Sequence, residues 1–137
     1  MHQQRFEPII DAHQLRLASG ELDPRRLLLA MMTDLVSLVE TYPGDMRVLF
    51  EYYGDLPESA RAEITEQGNR YRQLLVDVLN RGVAEGSFAI RNPNLTALAI
   101  PGMCSSTHNW FRPGGKLTAA KISRYFYDTV LSGIDNA

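Results

Sequence analysis

Apolar residues recur at three- and four-residue spacing along almost the whole chain, the pattern of helices that bury one face. No Asn-Gly type of hairpin signal between alternating strands interrupts this pattern. The sequence therefore predicts an all-α protein, a single helical domain over residues 1–137. About six helices are predicted, at about residues 3–19, 23–42, 45–53, 57–84, 92–111 and 118–134.

Capping residues mark the starts of three predicted helices. Asp23 before Pro24 and Asn92 before Pro93 each combine an N-cap with a proline at the first helical position, where the missing N–H costs nothing. Thr118 follows an apolar residue and is predicted to cap the last helix. The second, fourth and last helices each carry a broad apolar face, and the second is expected to be central.

Prolines and glycines mark the predicted breaks. Pro43-Gly44 is expected to end the second helix, and Gly86 to end the long fourth helix after Gly82 has loosened its last turn. Gly68 lies inside that fourth helix and weakens it by roughly 1 kcal/mol relative to alanine. Pro101 should bend the fifth helix.

Composition and charge exclude several classes of protein. Apolar residues make up 45% and charged residues 22%, as in an average soluble domain. The net charge is -2 with scattered Lys and Arg, so unaided nucleic-acid binding is not expected. The single cysteine, Cys104, and the lack of a signal-peptide pattern favour the cytoplasm. The uncharged run 92–111 is too polar for a membrane span, so no membrane partner is predicted.

Motifs of metal and catalytic chemistry are missing from the sequence. None of the three histidines follows a glutamate by three residues, and no His-Glu-x-x-His or Cys-x-x-Cys spacing occurs. We therefore predict no metal, no cofactor, no catalytic residue and no enzyme activity, although scattered ligands could still assemble a site.

Four single features have both a structural and a functional interpretation. His13 and His108 are either hydrogen-bonded core or interface side chains, or general bases. Cys104 is either a small buried residue or a reactive thiol. Gly114-Gly115 before a helix either forms a turn between two helices or is a weak phosphate-binding motif. In each case the structural interpretation is the more frequent one.

Two patterns rise above this background. Soft and aromatic side chains are frequent in the central segments, and they form either ordinary core or the lining of a cavity for a large apolar ligand. They are Met31, Met32, Met46, Phe50, Tyr52, Tyr53, Tyr71 and Met103. The run "PGMCSSTHNW" places small and hydroxyl residues in an apolar helix, where they allow close packing or supply polar anchors in a pocket or an interface.

The order of these segments resembles the C-terminal regulatory domain of the tetracycline repressor (TetR) family of bacterial transcription regulators. The resemblance covers roughly Pro43 to Ile134. It rests on Gly82 with Gly86-Ser87-Phe88, the Asn92-Pro93 restart, Trp110 before a glycine turn, the Leu117-Thr118 start and the Leu131-Ser132-Gly133-Ile134 ending. No single piece is diagnostic, and their order and spacing carry the likeness.

This resemblance implies a fold and a function. The TetR-type regulatory domain binds a small effector and dimerises through a four-helix bundle of its last two helices, and a separate N-terminal helix-turn-helix domain binds operator DNA. This sequence shows no such helix-turn-helix domain, so operator DNA is an expected partner only through a domain absent here. The chain is either a fragment of a repressor or a natural stand-alone domain. The "NW-x-x-x-GG-x-L-T" ending is similar to the branch that answers to fatty-acyl or steroid-derived CoA thioesters.

Candidate residues follow for the two expected sites. The ligand-binding candidates are Met31, Leu35, Phe50, Tyr53, Tyr71, Leu75, Met103 and Ser106. The homodimer-interface candidates are Leu98, Thr107, Trp110, Ile122, Tyr125, Phe126, Thr129 and Val130, and Trp110 is expected to meet the other subunit. The alternative functions are a helical adaptor that binds a partner protein and, less favoured, a small helical enzyme.

Overall fold

The computed structural model describes residues 6–132, and all regular secondary structure in this range is helical. The helices are α1 (Phe6–Ser19), α2 (Pro24–Thr41), α3 (Pro43–Glu51), α4 (Glu58–Ala84), α5 (Pro93–Ser105) and α6 (Ala119–Ser132). Short 3-10 turns follow α3 at Tyr53–Asp55 and α5 at Ser106–Asn109. The predicted all-α fold of six helices is confirmed. The predicted helix ends at residues 3 and 134 lie outside the described residues.

Helix α2 is the centre of the domain. It packs against each of the other five helices, because its buried side chains cover most of its circumference. They are Pro24, Leu27, Leu28, Met31, Met32, Leu35, Val36, Leu38 and Val39. Burial of these apolar side chains stabilises the folded state.

The predicted caps form as side-chain hydrogen bonds. The Asp23 carboxylate accepts from the backbone N–H of Arg26 at 2.9 Å, and the Asn92 side-chain oxygen accepts from that of Leu95 at 3.0 Å. The Thr118 hydroxyl accepts from the N–H three residues later at 3.2 Å. Each bond satisfies a backbone donor that the first helical turn leaves without a partner.

The predicted break at Pro43-Gly44 does end α2, but the next helix begins at Pro43 itself, two residues earlier than predicted. Only Tyr42 separates α2 from α3, and Pro43 occupies the first position of α3, where its ring is tolerated. Helix α3 then ends at Glu51, two residues earlier than predicted, and the chain continues as the 3-10 turn Tyr53–Asp55. The break at the proline is therefore a single non-helical residue between two helices.

The fifth helix is shorter than predicted. It continues through Pro101 but ends at Ser105, a 3-10 turn follows over Ser106–Asn109, and Trp110 and Phe111 lie outside both helices. The Ser106 and Thr107 hydroxyls each donate to the carbonyl oxygen three residues earlier, both at 2.7 Å, and a His108 ring nitrogen lies 2.8 Å from the Ser105 carbonyl oxygen. These side-chain bonds compete with the helical backbone ladder, so the tighter turn forms here.

Gly82 is a packing position at the end of α4. A side chain there would overlap the ring of Phe88, which folds back over the last turn. The backbone N–H groups of Ser87 and Phe88 both donate to the Gly82 carbonyl oxygen, and Gly86 supplies the positive φ of 80° that this helix ending requires. Gly82 thus closes the helix, whereas the sequence suggested that it loosens it.

Helix α6 is fixed to α2 by two polar contacts. The Ala119 N–H donates to a Glu40 carboxylate oxygen at 3.0 Å, so a side chain of α2 caps the first turn of α6. The Thr33 and Ser123 hydroxyls lie 3.0 Å apart and share a hydrogen bond. The last helix is therefore held in register along the central one.

Candidate functional site

Two apolar cavities lie between α3, α4 and α5 and the first turn of α1. The α4–α5 cavity has a volume of about 340 Å³, and its walls include Leu35, Tyr71, Ala97, Leu98, Pro101 and Ser105. The α3–α4 cavity has a volume of about 370 Å³, and its walls include Leu49, Tyr53 and Ile64. Phe6, Phe50 and Gly68 line both cavities. We call the two together the apolar groove.

The deep wall of the groove is fixed by Tyr71. Its hydroxyl donates to the Met31 backbone carbonyl at 2.9 Å, across the contact between α4 and α2. Burial raises the pKa of Tyr71 well above its ordinary value of 10, so the phenol stays neutral and the bond persists at physiological pH. The ring presents its apolar face to the groove while the polar tip is satisfied behind it.

The exposed aromatic side of the groove is formed by Phe50, which is 38% exposed. Its ring packs against the His108 ring with the centroids 4.9 Å apart. His108 belongs to the 3-10 turn after α5, so a single aromatic contact joins the groove to the start of the connection between α5 and α6. An exposed aromatic ring beside a cavity is a feature of binding surfaces.

A larger depression of about 680 Å³ opens on the outer face of α4. It is lined mainly by polar and charged residues, among them Arg61, Glu66 and Arg70, and shares Tyr53 with one apolar cavity and Thr65 and Asn69 with the other. Its breadth leaves a ligand in contact with water, so it cannot bury an apolar molecule by itself. It forms a polar mouth beside the groove.

Four of the predicted ligand-binding residues line the groove, namely Leu35, Phe50, Tyr53 and Tyr71. Met31 and Leu75 are buried in the core behind it. Met103 is half-buried and Ser106 is exposed, with its hydroxyl bonded to the Met103 carbonyl, and neither lines the groove. The neighbouring Ser105, the last residue of α5, lines it instead.

The sequence did not single out Phe6 and Gly68 as groove residues. Phe6 stands at the head of the apolar stripe of α1, a position that looks like ordinary core. Gly68 carried a local signal, since a glycine inside a long helix is unfavourable without a structural or functional reason.

His13 lies on the inner face of α1 and is completely buried, and neither ring nitrogen has a hydrogen-bond partner. Burial lowers the pKa of His13 below its ordinary value of 6.5, and the nearby Arg16 guanidinium lowers it further against the opposing effect of Asp34. Arg16 and Asp34 form a two-pronged salt bridge of 2.8 and 3.1 Å between α1 and α2. The ring is therefore neutral, and it does not line the groove.

The predicted interface residues fall into three groups. Leu98, Trp110 and Tyr125 are 54, 46 and 73% exposed. Phe126, Thr129 and Val130 are half-buried on α6. Thr107 and Ile122 are buried inside the protomer, so they are not available to a second subunit. The Thr107 hydroxyl is bonded within its own turn at 2.7 Å, and Ile122 belongs to the core.

Trp110 and its neighbour Phe111 point to different environments. Phe111 packs against the hydrophobic core, whereas Trp110 stays exposed and does not line the groove. On α5, Leu95 lies one turn before Leu98 and is 61% exposed, so it extends the outward apolar stripe. The small Ala99 and Gly102 lie on the same exposed side.

Residues 6–132 contain neither a cluster of metal ligands nor an activated cysteine. No group of three or more His, Cys, Asp or Glu side chains in this range could hold a metal ion. Burial raises the pKa of Cys104 to about 12, so its thiol is protonated and poorly nucleophilic. None of the helices in the same range is both long and apolar enough to cross a bilayer.

Comparison with known protein families explains this architecture. The sequence model described as "Tetracyclin repressor-like, C-terminal domain" matches residues 21–134, most of the chain. The chain belongs to this TetR family. The resemblance inferred from the order and spacing of the helix starts and ends is confirmed, and the family is one of transcriptional regulators.

Solved TetR-family structures share the fold. The regulator PfmR from Thermus thermophilus superposes with a TM-score of 0.86 at 23% identity, over 98% of this chain and 72% of its own. The ketosteroid transcriptional regulator KstR2 of Mycobacterium tuberculosis gives 0.80 at 22% identity, over 97% and 70%. AibR, solved with isovaleryl coenzyme A and operator DNA, gives 0.72 at 19% identity, over 95% and 72%.

Curated TetR relatives are similar in sequence over part of their length. The transcriptional repressor KstR2 of Mycobacterium tuberculosis is 35% identical over 75 residues, which are 52% of this chain and 36% of that protein. KstR2 of Rhodococcus jostii is 27% identical over 122 residues, which are 86% of this chain and 58% of that protein. The matched chain thus spans between about a third and three fifths of these relatives.

Proposed function

We propose that this chain is the effector-binding and dimerisation part of a TetR-family transcriptional regulator. In this proposal a large apolar molecule, an acyl-CoA or a steroid-like compound, binds in the apolar groove and controls operator binding by a helix-turn-helix domain outside these 137 residues. The observation that carries the proposal is the pair of apolar cavities that share Phe6, Phe50 and Gly68.

The chemistry of the groove supports an amphipathic effector. Most of its lining side chains are aliphatic or aromatic, with Arg72 at its edge, whereas the adjoining mouth on α4 carries Arg61 and Arg70 together with glutamates. An acyl or steroid moiety would lose contact with water in the groove, and an anionic group could remain in the mouth beside the guanidinium groups. Isovaleryl coenzyme A, with which AibR was solved, combines an apolar acyl group with an anionic carrier in this way.

The connection of the groove to α1 supports a regulatory role. Phe6 lies in the first turn of α1 and lines both cavities, so an effector would contact the helix that, in this proposal, follows the DNA-binding domain. An effector that binds one orientation of α1 more tightly than another shifts the equilibrium between them. This contact is the proposed origin of the control of DNA binding.

The outer faces of α5 and α6 are the proposed dimer surface. Leu95, Leu98 and Tyr125 expose large apolar side chains there, Trp110 adds another in the connection between the two helices, and Ala99 and Gly102 allow close approach of a second helix. A two-fold axis would bring the same faces of two chains together as a four-helix bundle. The solvent-exposed apolar stripe would then be buried.

Thermal denaturation in the presence of ligands tests the proposal. Palmitoyl-CoA and isovaleryl-CoA are titrated against the protein, with free CoA as the control for the nucleotide alone. Binding stabilises the folded state by about 2.7 kcal/mol at a ligand concentration of about one hundred times Kd, so Tm should rise with the thioesters and not with free CoA.

Matched variants locate the effect. Phe50→Ala removes a groove wall and should reduce the rise in Tm, whereas Leu15→Ala alters an exposed side chain on α1 away from the groove and should not. Equal responses of the two variants would place the ligand elsewhere. No rise in Tm with either thioester would remove the acyl-CoA class of effector.

A further inference from the structure

Gly68 lies where the two cavities of the apolar groove meet. It is inside α4 and lines both cavities together with Phe6 and Phe50. Glycine in the middle of a helix costs stability relative to alanine, because it loses more backbone freedom on folding. A 27-residue helix that retains such a residue calls for a physical reason.

Neither backbone conformation nor packing explains the glycine. The positive φ angles of the described residues occur only at Gly20, Gly86 and Gly114, so Gly68 has a backbone that any residue adopts. A β-carbon at Gly68 would meet no atom within 4 Å. Gly82 in the same helix is the opposite case, since a side chain there would overlap Phe88.

What the glycine does leave is space inside the groove. The position is exposed on α4, and it lines both the α3–α4 and the α4–α5 cavity. A larger side chain would occupy space at a position that lines both cavities, as Phe6 and Phe50 do. It would reduce the space that the two cavities share.

We propose that Gly68 is a specificity-determining residue that keeps the two cavities joined, so that one extended apolar ligand passes across it. The inference rests on the proposed function and adds the feature that selects the length of the ligand. A long acyl chain needs both cavities, whereas a short one fits in either. The size of residue 68 therefore sets the longest chain that binds well.

The test compares Gly68→Leu with Gly44→Leu. Gly44 is a matched control, because it is also helical and exposed, a β-carbon there also meets no atom within 4 Å, and it does not line the groove. Affinities for palmitoyl-CoA and butyryl-CoA are measured by isothermal titration calorimetry, and circular dichroism monitors the helical content of each variant.

Gly68→Leu is expected to weaken palmitoyl-CoA binding by about ten-fold or more while butyryl-CoA binding changes by less than about two-fold, since a methylene-sized obstruction in an apolar pocket already has effects of this order. Gly44→Leu should change neither affinity. Palmitoyl-CoA binding to Gly68→Leu at wild-type strength, or an equal loss for both thioesters, would overturn the role in length selection.

A second probe separates this inference from the proposed function. Anilinonaphthalene sulfonate is an apolar anion whose fluorescence rises in apolar cavities, and its binding does not require recognition of CoA. If the wild-type protein binds no acyl-CoA, the proposed effector class fails. A dye signal that falls in Gly68→Leu and persists in Gly44→Leu would still support Gly68 as the residue that keeps the groove open, and equal dye signals would overturn it.

Discussion

The Tyr71 hydroxyl and the Met31 carbonyl oxygen are joined by a 2.9 Å hydrogen bond that ties the wall of the apolar groove to the central helix. Both residues are buried and cannot bond to water, so this hydrogen bond satisfies the polar groups of both. Tyr71 thus serves the groove with its ring and the core with its hydroxyl. The two roles can be separated by mutation.

Tyr71→Phe removes the hydroxyl and keeps the ring. We expect the free energy of unfolding to fall by about 1 kcal/mol, the ordinary net contribution of a buried hydrogen bond, with little change in ligand affinity. Urea denaturation measures the first quantity and calorimetric titration with palmitoyl-CoA the second. Tyr125→Phe, at an exposed position, is the control and should leave stability within about 0.5 kcal/mol.

Two glycines of α4 are predicted to respond to alanine with opposite signs. Gly68→Ala should stabilise the protein by about 1 kcal/mol, because it adds a methyl group in open space and lowers the entropy of the unfolded chain. Gly82→Ala should destabilise it by about 1–3 kcal/mol, since the methyl group displaces Phe88. Urea denaturation of both variants decides this, and changes of the same sign would refute the packing difference.

Stability should depend on pH through His13. Its pKa is lowered in the folded state, so the unfolded chain binds the proton more readily. The contribution of neutral His13 is therefore complete above the unfolded value of 6.5 and is lost as pH falls below it. Denaturation midpoints between about pH 7 and pH 5 should decline for the wild type.

His13→Leu isolates this contribution. It removes the ring nitrogens that have no partner, so the decline over the same pH range should be smaller than in the wild type. The difference between the two pH profiles belongs to His13, because the variant retains Arg16 and Asp34. Parallel profiles would contradict a buried neutral histidine.

Charged substitutions should separate the proposed dimer. Leu95→Glu and Tyr125→Glu place a carboxylate in the apolar stripe of α5 and α6, where an unpaired buried charge is costly, so each should shift the protein toward the monomer. Sedimentation velocity at micromolar concentration measures the shift. Leu15→Glu alters an equally exposed residue of α1 and should leave the distribution unchanged.

Local chemistry explains which parts of the fold were predictable. The starts of α2 and α5 followed from Asp23 and Asn92 with their prolines, because an N-cap and its proline act within four residues. The end of α5 did not follow, since the hydroxyls of Ser106 and Thr107 can bond either to water or to the backbone. Which of these occurs depends on burial, and burial is decided by the rest of the fold.

The sequence identified the types of residue that form the site, but not which way individual positions face. Phe50 and Tyr71 were identified because aromatic side chains are frequent in pockets. Gly68 and Gly82 look alike in sequence, and only the fold over α4 shows that one faces open space and the other a phenylalanine ring. Thr107 was predicted to lie at the dimer interface, whereas it is buried inside the protomer on the same side as Cys104, to whose carbonyl oxygen its hydroxyl donates.

Photoaffinity labelling tests the central claim most directly. A palmitoyl-CoA analogue that carries a diazirine in its acyl chain is irradiated on the protein, and the labelled peptides are identified by mass spectrometry with excess palmitoyl-CoA as competitor. The account predicts competed labelling of α3 and of the part of α4 around Gly68. Labelling confined to the outer faces of α5 and α6, or labelling that palmitoyl-CoA does not displace, would contradict it.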